Sequence, residues 1–262
     1  MAHGIDIEGS GAVRHLWLAR PEKRNAMNQA MVEAFEEAAE NAVAEGARIV
    51  VVRGRGGHFC SGGDVSDMAR AARQADAGAA IAALNRVFGR VLSRFDRLPV
   101  ATVAVCEGAV MGGGFGLASV CDVTLAVDGA RFRLPETSIG ISPAQIMPFL
   151  VQRLGSAWAR RLAVTGETLD AEASVRVGLC HEVVPADVLD AQLETLVAQL
   201  LHGEPHAVAE SKRLVHAALA HGPTDAVLDE AARHFSELAR APEAQQGMMA
   251  RLSKQPPPWS AP

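Results

Sequence analysis

The sequence contains no tyrosine, and aromatic residues make up only 4% of it. A common general acid and oxyanion donor is therefore missing from any site the chain builds. Cysteine is scarce as well. The four present, Cys60, Cys106, Cys121 and Cys180, form no Cys-x-x-Cys pair and no zinc spacing. They read as reduced, mostly buried thiols of a cytoplasmic protein. Positive charge is not in excess: 25 Lys and Arg stand against 30 Asp and Glu, a formal charge of -5. Nucleic acid is therefore not expected as a partner. No apolar run reaches the ~18 residues of a membrane span. The opening Met-Ala-His-Gly-Ile-Asp has neither the basic nor the apolar region of a signal peptide. The histidines show no spacing with glutamate that marks a metal site, so no metal ion is expected.

What is present is ordinary for a soluble globular protein: 262 residues, 49% apolar and 21% charged. That length buries a substantial core. Through the first two-thirds, short strand patterns alternate with helical ones. Residues 48–53, 100–105 and 123–127 are continuous apolar runs of strand length, suited to a sheet buried on both faces. The class is α/β with parallel pairing. Asn28 and Asp170 are placed to cap helices. Residues 67–97 are Ala- and Arg-rich and predict helix, with breaks near Gly78 and Gly89. Residues 144–154 and 156–164 predict two helices parted by Gly155. From Pro185 onward every pattern is helical. The chain divides accordingly into a core, 1–185, and a helical region, 186–262, whose apolar faces need partners.

Residues 107–122 stand out. Gly108 and the run Gly112, Gly113 and Gly114 follow a buried strand and precede a small-residue helix. Glycines let backbone N–H groups approach a ligand closely, whether a phosphate or the oxygen of a polarised carbonyl. Leu117 breaks the Gly-x-Gly-x-x-Gly pattern, and no Gly-Lys-Ser/Thr ending follows, which disfavours a nucleotide cradle. Tight helix–strand packing explains the run equally well.

A second glycine-rich loop, 54–63, leads into Asp64 and Val65. It offers a backbone donor near Ser61, or an ordinary turn capped by Asp64. Ser61 is not in Gly-x-Ser-x-Gly, so no hydrolase elbow is expected. Glu136 sits in Leu-Pro-Glu-Thr, where an isolated glutamate is usually solvated. Asp122 reads as a structural hydrogen-bonding residue.

Taken together, Arg20-Pro-Glu-Lys-Arg-Asn-Ala-Met-Asn28, Phe59-Cys-Ser-Gly-Gly-Asp64, Glu107-Gly-Ala-Val-Met-Gly-Gly-Gly114, Cys121-Asp122 and Phe132-Arg-Leu-Pro-Glu136 resemble the enoyl-CoA hydratase/isomerase (crotonase) family over nearly the whole chain. The resemblance implies a spiral of ββα units with a C-terminal helical trimerisation region, assembled as a homotrimer or a hexamer of paired trimers. It implies a coenzyme A thioester as substrate, with no separate cofactor. It places the oxyanion donors at the Ser61 and Gly113 amides and the acid/base at Glu136. Lys23, Arg24 and Ala26, with Ser61, Gly62, Gly63, Asp64 and Val65, would line the CoA path. Phe235 and Lys254 would approach the CoA from the C-terminal region, in the same or a neighbouring subunit.

One position departs from the pattern. Hydratases of the family carry two glutamates. The second matches Glu136, while the first falls on Gly116. Three readings stand. The first is a hydratase, for which the block 140–149 is similar to hydratases of branched glutaconyl-type CoA esters. The second is an enoyl-CoA isomerase using Glu136 alone. The third is a non-catalytic acyl-CoA-binding homologue.

Overall fold

The structure, a computed structural model, describes residues 3–260. The outermost ends of both sequence regions, including Met1 and Ala2 of the N-terminal motif, lie outside the described residues.

The chain opens with β1 (Ile5–Glu8) and β2 (Val13–Leu18), paired antiparallel. Helix α1 (Gln29–Ala44) is capped by Asn28, whose Oδ1 accepts the Met31 N–H at 2.9 Å. It returns the chain to β3 (Ile49–Gly54), parallel to β2. Helices α2 (Val65–Ala71) and α3 (Ala77–Asp96) then lead to β4 (Ala101–Cys106), parallel to β3. A short strand β5 (Ala109–Met111) and helix α4 (Gly113–Ser119) precede β6 (Val123–Val127), which lies parallel to β4. Strand β7 (Arg131–Arg133), helix α5 (Met147–Thr165), strand β8 (Thr168–Asp170), helix α6 (Ala171–Arg176) and strand β9 (Glu182–Val184) complete the sheets.

The main sheet has the order β1-β2-β3-β4-β6-β9, and β5-β7-β8 form a smaller one. The main sheet is buried on both faces. In β3, Val50 and Val52 join one apolar cluster with α1, α3, α4 and α5, while Ile49 and Val51 join another. That second cluster is closed by α7 (Leu189–Leu201) through Leu189, Leu193 and Leu201. Each fully buried Val or Leu contributes about 1.5–3 kcal/mol, so this double burial fixes strand register and with it the strand ends that carry the loops.

Helices α8 (Pro205–His221), α9 (Asp225–Arg240) and α10 (Pro242–Leu252) follow. Lys212 on α8 ties them to the sheet, its Nζ donating to Asp122 Oδ2 at 2.7 Å and to Val100 O at 2.8 Å. Asp122 also accepts the Thr102 N–H and hydroxyl at 2.8 and 2.9 Å, so it is a structural junction. No residue of α8, α9 or α10 is buried, and Phe235 is 74% exposed.

Two of the expected helix breaks change and a third holds. The break before α3 falls at residues 72–76, and Gly89 does not interrupt the helix. Within Met147–Thr165, Gly155 at φ 72 and ψ 162 parts two helical segments as the sequence implies, the first starting at 147 rather than 144. Strands β5 and β8 were not read from the sequence, because three residues carry too little pattern.

Candidate active site

The two glycine-rich loops meet through backbone hydrogen bonds. After β3, the segment at Phe59 and Cys60 runs alongside residues 107–111: Phe59 N–H donates to Glu107 O at 2.8 Å, Cys60 N–H to Ala109 O at 2.9 Å, and Met111 N–H to Cys60 O at 2.8 Å. This parallel bridge joins Cys60 to Val110. Three residues further along each segment stand Gly63 and Gly113. Gly114 must be glycine, since a Cβ there would stand 2.6 Å from Cys60 Cβ. The Cys60 thiol is fully buried, which pushes its pKa up to about 12, so it has no nucleophilic role.

On its other side the first loop is bound to the turn at Lys23, Arg24, Asn25 and Ala26. Asn25 is buried and donates to Arg55 O and His58 O at 2.9 and 2.6 Å. Met27 N–H donates to Gly62 O and Asp64 N–H to Met27 O, both at 2.8 Å, a parallel bridge between Met27 and Gly63. In such a bridge the N–H of the central residue points away from its partner. The Gly63 amide thus has no protein acceptor among the described residues. Asp64 caps α2 through the Ser66 N–H at 3.1 Å and pairs with Arg20 at 3.1 Å. Val65 opens α2 and is 65% exposed.

The structure corrects the sequence reading of Ser61. Its N–H donates to Arg24 O at 2.9 Å, and its hydroxyl to Lys23 O at 3.1 Å. A committed amide is not a free oxyanion donor, and the open amide of this loop belongs to Gly63. Ser61 instead fastens the Lys23–Ala26 turn to the loop.

Gly112 enters α4 at φ 48 and ψ -114, a conformation that favours glycine. A Cβ on it would stand 2.8 Å from Glu136 Oε1, so the carboxylate lies against this backbone. Gly113 opens α4, where the first helical amides have no acceptor within the helix. Glu136 begins a short 3-10 turn, Glu136–Ile139, after Pro135. Its Oε2 is buried without a hydrogen-bond partner. Burial raises its pKa above the ordinary carboxylate value, against a smaller opposing effect of its own backbone hydrogen bond. A half-buried carboxylate holds its proton more readily than a solvated one, because burial disfavours the charged form.

The space beside Gly116 is filled. A Cβ on Gly116 would overlap Ile146 Cγ2 and stand 3.0 Å from Ile146 Cβ and 3.4 Å from Leu92 Cδ1. One turn earlier, a Cβ on Gly113 would stand 3.0 Å from Met27 Cε and 3.2 Å from Phe88 Cζ. Phe88, Leu92 and Ile146 line this seam, a convergence that no sequence pattern signals.

Phe235 and Lys254 are not joined to Glu136 within the chain: α9 packs on α8 and α10, and Lys254 is exposed at φ 54. A cavity of about 1240 Å³ lies beside these helices, lined by Arg97, Lys212, His216, Leu238, Met248 and Trp259, away from the two loops. No group of three or more metal-ligating side chains occurs among the described residues. His202 and His206 stand four apart in sequence, but they flank the turn between α7 and α8.

The fold and paired loops define a crotonase-type protein, and comparison with known proteins agrees. The profile of the enoyl-CoA hydratase/isomerase family matches residues 8–262. A probable enoyl-CoA hydratase of Rhodobacter capsulatus is 33% identical over 256 residues, 97% of each chain. Pseudomonas aeruginosa AtuE superposes with a TM-score of 0.93 at 42% identity, covering 98% of this chain and 100% of its own. An enoyl-CoA hydratase/isomerase from Marinobacter aquaeolei gives a TM-score of 0.93 at 37% identity, covering 98% and 99%. The chain belongs to the enoyl-CoA hydratase/isomerase family and has its fold.

Proposed function

We propose that the protein is an enoyl-CoA hydratase in which the Gly63 and Gly113 amides hold the thioester oxygen and Glu136 is the sole acid/base. The observation that carries this reading is the Glu136 carboxylate, which has one oxygen buried and unpaired and lies against Gly112, next in sequence to Gly113. Two N–H donors on the oxygen stabilise the enolate, and one such donor is worth about 3 kcal/mol of transition-state stabilisation. Glu136 takes a proton from water as its oxygen bonds to the β-carbon. A proton then passes from Glu136 to the α-carbon as the enolate collapses. The net change is addition of H and OH across the double bond, and Glu136 ends ionised as it began.

The exposed Lys23 and Arg24 beside Ser61 suit the CoA phosphates, and Ala26, Gly62, Asp64 and Val65 would border its path. The unburied faces of α8, α9 and α10 suit association into a homotrimer, or a hexamer of two trimers, with Phe235 and Lys254 meeting a neighbour's CoA. Several relatives are named hydratases, including a 2,3-dehydroadipyl-CoA hydratase of Escherichia coli, 28% identical over 92% of each chain.

One observation favours a second reading. Apolar Ile146 and Leu92 stand where a water-activating carboxylate would be placed. A single carboxylate suffices to move a proton between C2 and C4, the reaction of an enoyl-CoA isomerase. Incubation with a 2-enoyl-CoA and a 3-enoyl-CoA separates the two. The hydratase yields 3-hydroxyacyl-CoA from the 2-enoyl ester. Double-bond migration without that product sinks the hydratase reading. Binding without conversion of either ester supports a non-catalytic homologue.

A further inference from the structure

Gly89 and Gly116 lie inside helices, and neither has the positive φ that demands glycine. Glycine weakens a helix relative to alanine, so something else accounts for both. Two successive residues of one loop do. A Cβ on Gly89 would stand 2.8 Å from Gln145 Cδ, and one on Gly116 would overlap Ile146 Cγ2. The loop before α5 is thus pressed into two notches, one on α3 and one on α4.

The second notch bears on the site. Gly116 follows Gly113 by three residues and Gly112 by four, and its N–H donates to Gly112 O at 3.0 Å. Helix positions so spaced share a face. That face carries Glu136 at Gly112, the Phe88 ring at Gly113, and Leu92 with Ile146 at Gly116. Phe88 and Leu92 are themselves one turn apart on α3, so the two helices match turn for turn. Ile146 is 3% exposed and is the end of an apolar strip running from Gly116 toward the carboxylate.

We propose that Ile146 is a specificity-determining residue: seated in the Gly116 notch, it keeps water and any second polar group off the α4 face beside Glu136 and so sets the balance between hydration and double-bond migration. This rests on Glu136 being the acid/base. Several charged groups on the surrounding elements are engaged elsewhere. Arg133 donates to Gly166 O at 2.7 Å, Arg153 to Leu179 O at 2.9 Å, and Arg161 pairs with Glu167 at 2.6 Å. Asp64 pairs with Arg20 at 3.1 Å and Arg90 with Glu36 at 3.3 Å. None of them substitutes for the absent second base.

The test compares wild type, Ile146→Val, Ile146→Ala and the double variant Gly116→Glu with Ile146→Ala. The readout is the ratio of hydration of a 2-enoyl-CoA to double-bond migration in a 3-enoyl-CoA, with folding checked by thermal melts. Acid–base groups contribute roughly 10²–10⁴-fold, so the ratio is expected to rise about tenfold or more in the double variant. It should rise less in Ile146→Ala and stay near wild type in Ile146→Val. An unchanged ratio in a folded Ile146→Ala variant overturns the proposal. If wild type converts neither ester, the Glu136 reading fails instead. The role of Ile146 is then decided by infrared titration of the Glu136 carboxyl, assigned by difference from Glu136→Gln. Titration at lower pH in Ile146→Ala than in wild type sustains the exclusion of water, and coincident curves overturn it.

Discussion

The Ser61 amide donates to the Arg24 carbonyl at 2.9 Å, which leaves Gly63, two residues on, with the open N–H of the first loop. The consequence is testable with two substitutions at one position. Gly63 has no positive φ, and a Cβ on it meets nothing within 4 Å. Gly63→Ala is therefore expected to keep near-wild-type turnover. Gly63→Pro removes the N–H and should lower kcat by about 10²–10³-fold. Steady-state kinetics on a 2-enoyl-CoA, with a thermal melt of each variant, checks both.

Glu136→Gln keeps the shape of the site and removes the proton carrier. Its kcat is expected to fall by roughly 10²–10⁴-fold, with binding of an acyl-CoA product retained. Calorimetric titration of the ester beside the kinetics separates loss of chemistry from loss of binding.

The same variant tests the buried carboxylate through stability. Burial raises the folded-state pKa of Glu136 above its unfolded value of 4.5. The folded state then holds the proton more tightly. The stabilising effect is complete below the unfolded pKa and is lost as pH rises through the folded one. At neutral pH wild type carries the penalty and Glu136→Gln does not. The variant should melt higher at pH 7, by about 2–4 °C per kcal/mol relieved, and the difference should shrink toward pH 4. Melting curves across that range check the sign.

Asp122 joins the start of β6 to Thr102 and Lys212. Asp122→Ala removes a charged acceptor from three donors, each hydrogen bond to a charged group being worth about 1.5–3 kcal/mol. The pair is partly exposed, so a loss toward the lower end, about 2 kcal/mol, is expected in denaturant unfolding. Variants at Asp122 should lose stability before they lose the chemistry of Glu136.

Much of the frame was legible locally. Asn28 and Asp170 cap helices as their positions in the pattern imply, because a cap depends on the few residues after it. The apolar runs of β3, β4 and β6 read as buried strands because both faces of the sheet are covered. The glycine run at 112–114 was legible as a tight approach. Which amide of the first loop is open was not. That depends on the bridge between Met27 and Gly63, residues far apart in sequence. The identity of Gly116 was plain, but its filling by Ile146 and Leu92 arises only when α3, α4 and the loop before α5 come together.

Hydration by this protein turns on Glu136 handling both protons. The most direct measurement is the mass of the product formed from a 2-enoyl-CoA in deuterated water labelled with oxygen-18. The predicted product is a 3-hydroxyacyl-CoA carrying one deuterium at C2 and one oxygen-18 at C3, formed by wild type and formed roughly 10²–10⁴-fold more slowly by Glu136→Gln. An ester recovered without oxygen-18, whether unchanged or with its double bond moved, contradicts the account.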